Sequence, residues 1–277
     1  MYRVRSFLLQ EIEQGCVLQN GTATVIITNE ELLGFLKSIE QKGIIELEED
    51  CFIEYFQENY ESVIDFLINT NILKKVKKPR LDFDKLFLVT NDNEFSKLFE
   101  YSTTGFGEEV SIYTTQDYQT ILKAPPANGL CIVFLNPFNL DEYISICNEL
   151  MQTDLILRTG FFYNHSLYLS NLYKKEWYNP CPKCFFYALE SHLRATISQN
   201  GLNFQTVMDL IYAKNSNFKV FTNLEHLDLI TFINLLLKDI KFKEENFGIN
   251  NIYELDLGTY RVTEDSPYHW ELCDCYE

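Results

Sequence analysis

Positive charge is scarce in this chain: its 277 residues include 23 Lys and Arg against 40 Asp and Glu, a formal net charge of −17. A field of that sign repels a phosphate backbone, which excludes nucleic acid as a partner class. The one basic cluster, Lys74, Lys75, Lys77, Lys78 and Arg80, surrounds Pro79 and reads as a linker. Long apolar runs are missing too. None reaches the roughly 20 residues that a membrane-spanning helix needs, so no membrane is expected. The opening Met-Tyr-Arg-Val-Arg runs straight into a strand-like pattern and lacks the order of a secretory signal, so the expected location is the cytoplasm. Repeats and low-complexity tracts are absent. The histidines, His165, His192, His226 and His269, are scattered, and no local signature pairs one with a nucleophile. A Walker-type Gly-Lys-Ser/Thr motif is also lacking.

What the chain does have is apolar mass and cysteine. Hydrophobic residues make up 46% and aromatics 15%, enough for one large or two modest cored domains. Eight cysteines without a secretory signal point to a reducing compartment. Four of them form two close pairs, Cys181-Pro-Lys-Cys184 and Cys273-Asp-Cys275. Four thiolates suit a tetrahedral structural zinc, which leaves no open position for a reactive water. The competing readings are a disulfide or ordinary buried thiols. The second pair and the turn-like Asn-Pro-Cys-Pro setting favour metal. Cys16, Cys51, Cys131 and Cys147 lie among apolar residues and read as reduced core thiols. His269, beside Trp270 and close to Cys273, is a candidate outer partner of the metal.

The pattern predicts two parts, residues 1–78 and residues 84–277. In the first, Tyr2 to Ile12 is extended, Cys16 to Gln19 is a short strand, and Asn20-Gly21 is a hairpin signal. The β-branched run from Thr22 to Thr28 is the third strand. Asn29 caps a helix that Gly43 ends, with Leu32, Leu33, Leu36 and Ile39 at helical spacing. Further helices are expected over Asp50 to Gln57 and Glu61 to Asn69, with a closing strand near Ile72, Leu73 and Val76. Three strands and three helices make a winged-helix-like β3α3 module. In the second part, short apolar strands (Lys85 to Thr90, Glu109 to Tyr113, Leu130 to Leu135, Asp154 to Arg158) alternate with helices (Glu94 to Tyr101, Leu140 to Met151). That alternation predicts a parallel, Rossmann-like sheet in a mixed α/β protein. A hairpin over Phe161 to Leu169 leads to the cysteine knuckle. Helices over Phe185 to Ser198, Phe204 to Tyr212 and His226 to Ile240 follow, then an extended segment from Ile252 to Val262.

The knuckle Asn179-Pro-Cys-Pro-Lys-Cys184 with its helix and Leu202-Asn203-Phe204, and the ending Tyr268-His-Trp-Glu-Leu-Cys-Asp-Cys275, resemble the McbB family. Gly43-Ile44-Ile45, the third helix and Asn71-Ile72-Leu73 fit the same pattern, so the resemblance covers nearly the whole chain. Members of that family are B subunits of microcin-type thiazole/oxazole synthetases, with a degenerate ubiquitin-activating-type fold that has lost adenylation. The resemblance implies a zinc-bound homodimer in a multi-subunit complex. Its winged-helix module would hold the leader of a ribosomal precursor peptide. The peptide core would pass to a YcaO-type cyclodehydratase using ATP and to a dehydrogenase using FMN, so that catalysis lies on the partners.

The residues agree with a non-catalytic role. An adenylating member needs a glycine-rich turn after its first strand, and here Thr90-Asn-Asp-Asn-Glu94 follows instead. Gly105-Phe-Gly107 is a loop turn. An extended peptide would add to the edge Thr24, Val25, Ile26, Ile27 and Thr28, facing Val63, Phe66, Leu67 and Thr70 on the third helix. Apolar residues at helical spacing are more often plain core. The alternatives are an adenylating enzyme with an unusual pocket, and a zinc-stabilised winged-helix regulator. Glu61 and Asp65, with no arginine on the third helix, oppose the regulator.

Overall fold

A computed structural model describes residues 1–44, 46–123, 128–195, 203–241 and 248–276. Ile45 and Leu202, both named in the family pattern, and the 196–198 end of the expected knuckle helix lie outside these residues. The chain separates into two units, Met1–Lys78 and Pro79–Glu277.

The first unit runs β1 (Tyr2–Val4), β2 (Leu8–Ile12), β3 (Gly15–Gln19), β4 (Thr24–Ile27), α1 (Glu30–Lys42), β5 (Glu46–Leu47), α2 (Glu49–Phe56), α3 (Tyr60–Asn69) and β6 (Leu73–Lys75). α1 begins where the Asn29 side chain accepts the Leu32 amide at 2.8 Å, the expected capping bond. It ends at Gly43, whose φ of 61° lets the chain turn back while its amide meets the Ile39 and Glu40 carbonyls. Leu32, Phe35, Leu36 and Ile39 form its buried face. Phe35 meets Phe52 and Phe56 of α2 at ring-centroid distances of 5.2 and 4.9 Å.

Two details differ from the sequence pattern. The stretch from Tyr2 to Ile12 is not one strand, because the Arg5 amide donates to the Ile72 carbonyl at 2.8 Å and the chain then leaves its first sheet. The β3α3 expectation therefore resolves into two antiparallel three-stranded sheets, β5-β1-β6 and β2-β3-β4, with three α-helices. Cys51 is exposed, not a core thiol. Phe52 and Phe56 define the inward face of α2, and Cys51 lies one residue, about 100°, away from it.

The second unit runs β7 (Lys85–Thr90), α4 (Asn93–Ser102), β8 (Glu109–Thr114), α5 (Gln119–Lys123), β9 (Gly129–Leu135), α6 (Leu140–Leu150), β10 (Ile156–Tyr163), β11 (Ser166–Leu169), α7 (Pro182–Ala195), α8 (Phe204–Tyr212), α9 (His226–Lys241), β12 (Ile252–Asp256) and β13 (Val262–Asp265). Its seven strands lie in the order β13-β12-β11-β10-β9-β7-β8. The purely parallel expectation holds for one half only: β8, β7, β9 and β10 pair parallel, whereas β10 to β13 pair antiparallel. The split has a local cause. Asn164 and His165, both at positive φ, make a tight turn after β10 and reverse the chain at once. β9 and β10 are buried along their whole length, as strands covered on both faces must be.

A buried ion pair fastens β10 to α9. Arg158 is fully buried; its Nη2 donates to Asp239 Oδ2 at 2.8 Å and its Nε to the Ser170 carbonyl at 3.0 Å. Asp239 Oδ1 accepts the Tyr253 hydroxyl of β12 at 3.0 Å. Gly248, at φ 78°, passes so close that a Cβ there would collide with the Asp239 carboxylate. Burial holds the Arg158 guanidinium below its ordinary pKa, against the pull of Asp239. Breaking such a pair leaves a charge uncompensated, at about 3–5 kcal/mol. Asp239→Leu is therefore expected to destabilise the second unit by about that much, and Arg158→Met/Asp239→Leu to recover part of the loss. Urea denaturation followed by tryptophan fluorescence checks this, because Trp177 and Trp270 both lie in that unit.

Candidate functional site

The cysteine knuckle is held by amide side chains. Asn179 Nδ2 donates to the Leu172 carbonyl at 2.6 Å and to Asn250 Oδ1 at 3.3 Å. Asn171 Nδ2 donates to the Pro180 carbonyl at 2.9 Å, and the Tyr143 hydroxyl to that of Pro182 at 2.9 Å. Pro182 opens α7, a position where its missing amide costs nothing. Cys181 thus stands just before the helix and Cys184 in its first turn, with the Phe185 amide on the Cys181 carbonyl at 3.1 Å. The chain end arrives through a turn in which the Cys273 amide donates to the Trp270 carbonyl at 2.9 Å.

The four sulfurs of Cys181, Cys184, Cys273 and Cys275 all lie within 4.8 Å of one another. Cys181 Sγ is 3.8 Å from Cys184 Sγ and 3.6 Å from Cys273 Sγ, and Cys184 Sγ is 3.4 Å from Cys275 Sγ. A tetrahedral ion with zinc–sulfur bonds of about 2.3 Å would hold its ligands about 3.8 Å apart, whereas a disulfide needs about 2.05 Å. All four are free thiols, and only Cys275 is partly exposed. Hydrogen bonding within the cluster splits the thiols: Cys184, receiving from Cys181, is pushed down, and Cys181 is pushed up. The spacing is consistent with a metal site. The donor set fits a soft tetrahedral ion such as zinc.

His269 joins this cluster. Its Nδ1 lies 3.6 Å from Cys275 Sγ and its Nε2 3.0 Å from the Tyr178 carbonyl. Asn171, Asn179 and Tyr143 escaped the sequence reading as anchors; only the Asn-Pro step before Cys181 hinted at one. The other histidines stand elsewhere: His165 in the hairpin turn, His192 exposed on α7, and His226 3.6 Å from Glu94 on the surface.

In sheets of this order ligands bind where the strand sequence reverses, here between the ends of β7 and β9. The chain's own polar groups bond one another there. Asn91 Nδ2 donates to the Pro137 carbonyl at 2.8 Å, and the Asn136 amide to Asn91 Oδ1 at 2.9 Å. Asn136 Nδ2 donates to Asp92 Oδ2 at 3.0 Å and to the Thr222 carbonyl at 3.1 Å. Asp92 Oδ1 accepts the Phe95 amide at 2.9 Å, so it takes the helix N-terminus that a phosphate would need.

In the first unit, β4 is an edge strand of its sheet. Its hairpin turn is tied to the end of α3: Asn20 Nδ2 donates to the Thr70 carbonyl at 2.8 Å, and Asn71 Nδ2 to Thr22 Oγ1 at 2.9 Å. Of the nine residues expected to meet a peptide, Thr24, Ile26 and Thr28 are exposed, and Val25, Val63 and Phe66 are half-buried. Ile27, Leu67 and Thr70 are buried, with Leu67 inaccessible to solvent and Thr70 Oγ1 bonded to the Phe66 carbonyl at 2.8 Å.

A family model described as "Microcin B17-processing protein McbB" matches residues 2–277. Among solved structures, the chain is similar to the E. coli Microcin synthetase McbBCD complex, at TM-score 0.69 and 17% identity over 99% of this chain and 100% of that one. The same E. coli complex with pro-MccB17 bound matches at TM-score 0.52 and 16% identity, over 100% of this chain and 99% of that one. A heterocyclase in complex with substrate and cofactor matches at TM-score 0.50 and 12% identity, over 99% of this chain but 39% of its own length. No curated protein matches the chain. At these identities the structural likenesses establish the fold. The family match spans all but the first residue, and the chain belongs to the McbB family.

Proposed function

We propose that this chain is the recognition and scaffold subunit of a microcin-type thiazole/oxazole synthetase. The family match over residues 2–277 carries the reading. The solved relatives supply its content: one is a synthetase complex, and one of its structures holds pro-MccB17. On this reading the first unit binds the leader of a ribosomal precursor peptide. The Cys, Ser and Thr residues of the core go to a YcaO-type cyclodehydratase and an FMN-dependent dehydrogenase, in the cytoplasm, with the chain acting as a homodimer. The mutual bonding of Asn91, Asp92 and Asn136 at the switch point supports leaving the ATP chemistry to a partner.

The β4 edge gives the peptide unpaired backbone groups, and α3 gives it the half-buried Val63 and Phe66. A labelled synthetic leader, taken from the precursor encoded beside the gene, should bind the full chain saturably in fluorescence anisotropy. Phe66→Asp should abolish that binding at unchanged circular dichroism. Val63→Glu serves where Phe66→Asp misfolds. A correctly folded Phe66→Asp that binds like wild type would place the peptide elsewhere.

The four-cysteine cluster is proposed to hold one structural zinc per chain through Cys181, Cys184, Cys273 and Cys275. Metal affinity of such sites is folding energy. Purified protein should carry about one zinc equivalent by elemental analysis. Cys273→Ser should lower that occupancy, and the C-terminal segment should become sensitive to protease. A stable, metal-free wild-type protein refutes the assignment.

A further inference from the structure

The β2-β3-β4 sheet has one face on the core and one face that breaks the usual rule. Its register aligns Leu8, Gln19 and Thr24 in one row and Gln10, Val17 and Ile26 in the next. The opposite face carries the buried Cys16, Leu18 and Ile27. An antiparallel sheet with one solvated face ordinarily alternates apolar inside and polar outside. Here Leu8 is 68% and Ile26 62% exposed on the outer side. None of the six side chains in these rows is charged, in a chain of net charge −17.

The size of this face limits what can cover it. Strands of five and four residues, three abreast, span about 240 Å² at ordinary strand spacing and rise. A stable dimer needs about 800 Å² on each partner. A second copy is therefore not held by this face alone, whereas the β4 edge can take a single extended strand beside Ile26. The occupant that the geometry favours is an extended segment added to the β4 edge, where Ile26 already stands.

We propose that such a segment is read on both of its sides, so that the precursor leader must present adjacent apolar residues instead of a strict apolar–polar alternation. This rests on the leader-binding reading above. In an added strand, alternate side chains point to opposite faces. One set turns toward Val63 and Phe66 of α3. The other set lies on the outer face next to Ile26, where water would otherwise favour a polar residue. A cross-strand neighbour of an exposed isoleucine is most stable when β-branched or aromatic, by up to about 1 kcal/mol, or about fivefold in affinity. The outer face thus makes Ile26 a specificity residue, and the substrate class is a leader with consecutive apolar positions.

The test is anisotropy with the full chain and the labelled synthetic leader, using Ile26→Glu, Phe66→Asp and a series of leaders carrying one Lys at each position in turn. Ile26 points outward, so Ile26→Glu should leave the circular dichroism unchanged. It is expected to weaken binding about fivefold, and one Lys-bearing leader should restore affinity to Ile26→Glu but not to Phe66→Asp. Unaltered binding by Ile26→Glu beside loss in Phe66→Asp overturns the two-sided inference and leaves leader recognition standing. A changed oligomeric state or lost partner-subunit assembly at unchanged peptide affinity also overturns it, giving the face to a protein partner. Failure of wild type to bind the leader, alone or with its partner subunits, removes both readings together.

Discussion

Four sulfurs brought together from two distant parts of the chain are the constraint on which the second unit depends. Cys181 faces Cys273 across 92 positions and Cys184 faces Cys275 across 91. Nothing local delivers the chain end to that point. It arrives because β12 pairs with β11 and because the Leu172 amide donates to the Ile249 carbonyl at 3.0 Å. Asn179 then bonds both Leu172 and Asn250, so the same side chain aligns the knuckle and the returning strand. The antiparallel half of the sheet is thus the means by which the terminal Cys-Asp-Cys reaches α7. The Arg158–Asp239–Tyr253 network stitches that half to α9 from the other side.

Much of this was legible in the sequence, and the rest failed for identifiable reasons. Asn29 and Gly43 gave both ends of α1 because capping is local chemistry. The apolar runs at Lys85–Thr90 and Leu130–Leu135 read as buried strands by their length and β-branched content. The two cysteine pairs pointed to one another because close-spaced thiols have few other uses. By contrast, the break at Arg5 depends on Ile72, far along the chain, and no local pattern foretells it. Cys51 was misplaced because an apolar neighbourhood in sequence says nothing about which side of a helix a residue takes. Asn171 and Asn179 anchor the knuckle through backbone carbonyls, and such bonds leave no trace in spacing.

The switch point of the parallel half is occupied by polar side chains that bond one another. Backbone amides at a helix N-terminus attract anions. Asp92 occupies that position on α4 and brings a negative charge of its own. Asn91 and Asn136 bond one another and the crossing segment at Thr222, so the polar groups that might meet a nucleotide are already satisfied. A phosphate placed there would meet a carboxylate and have to break several hydrogen bonds at once. The layers of the sheet do not depend on these groups because their stability lies in the buried β7, β9 and β10, not at the strand ends.

The same logic, run in reverse, applies to the first unit. There the polar pattern is broken in the direction of binding: an edge strand is left unpaired and its outer face carries isoleucine and leucine where charge would be safer. Exposed edges and apolar faces invite unwanted association, and proteins ordinarily guard them with charged residues. Lys74 and Lys75 lie on β6 and Lys37 pairs with Glu11 of β2, while the outer rows of the β2-β3-β4 sheet carry no charge. A surface kept open at that risk is explained if something of narrow width regularly covers it. An extended segment added at the β4 edge would lie beside the uncharged Gln10, Val17 and Ile26 row and not against acidic side chains.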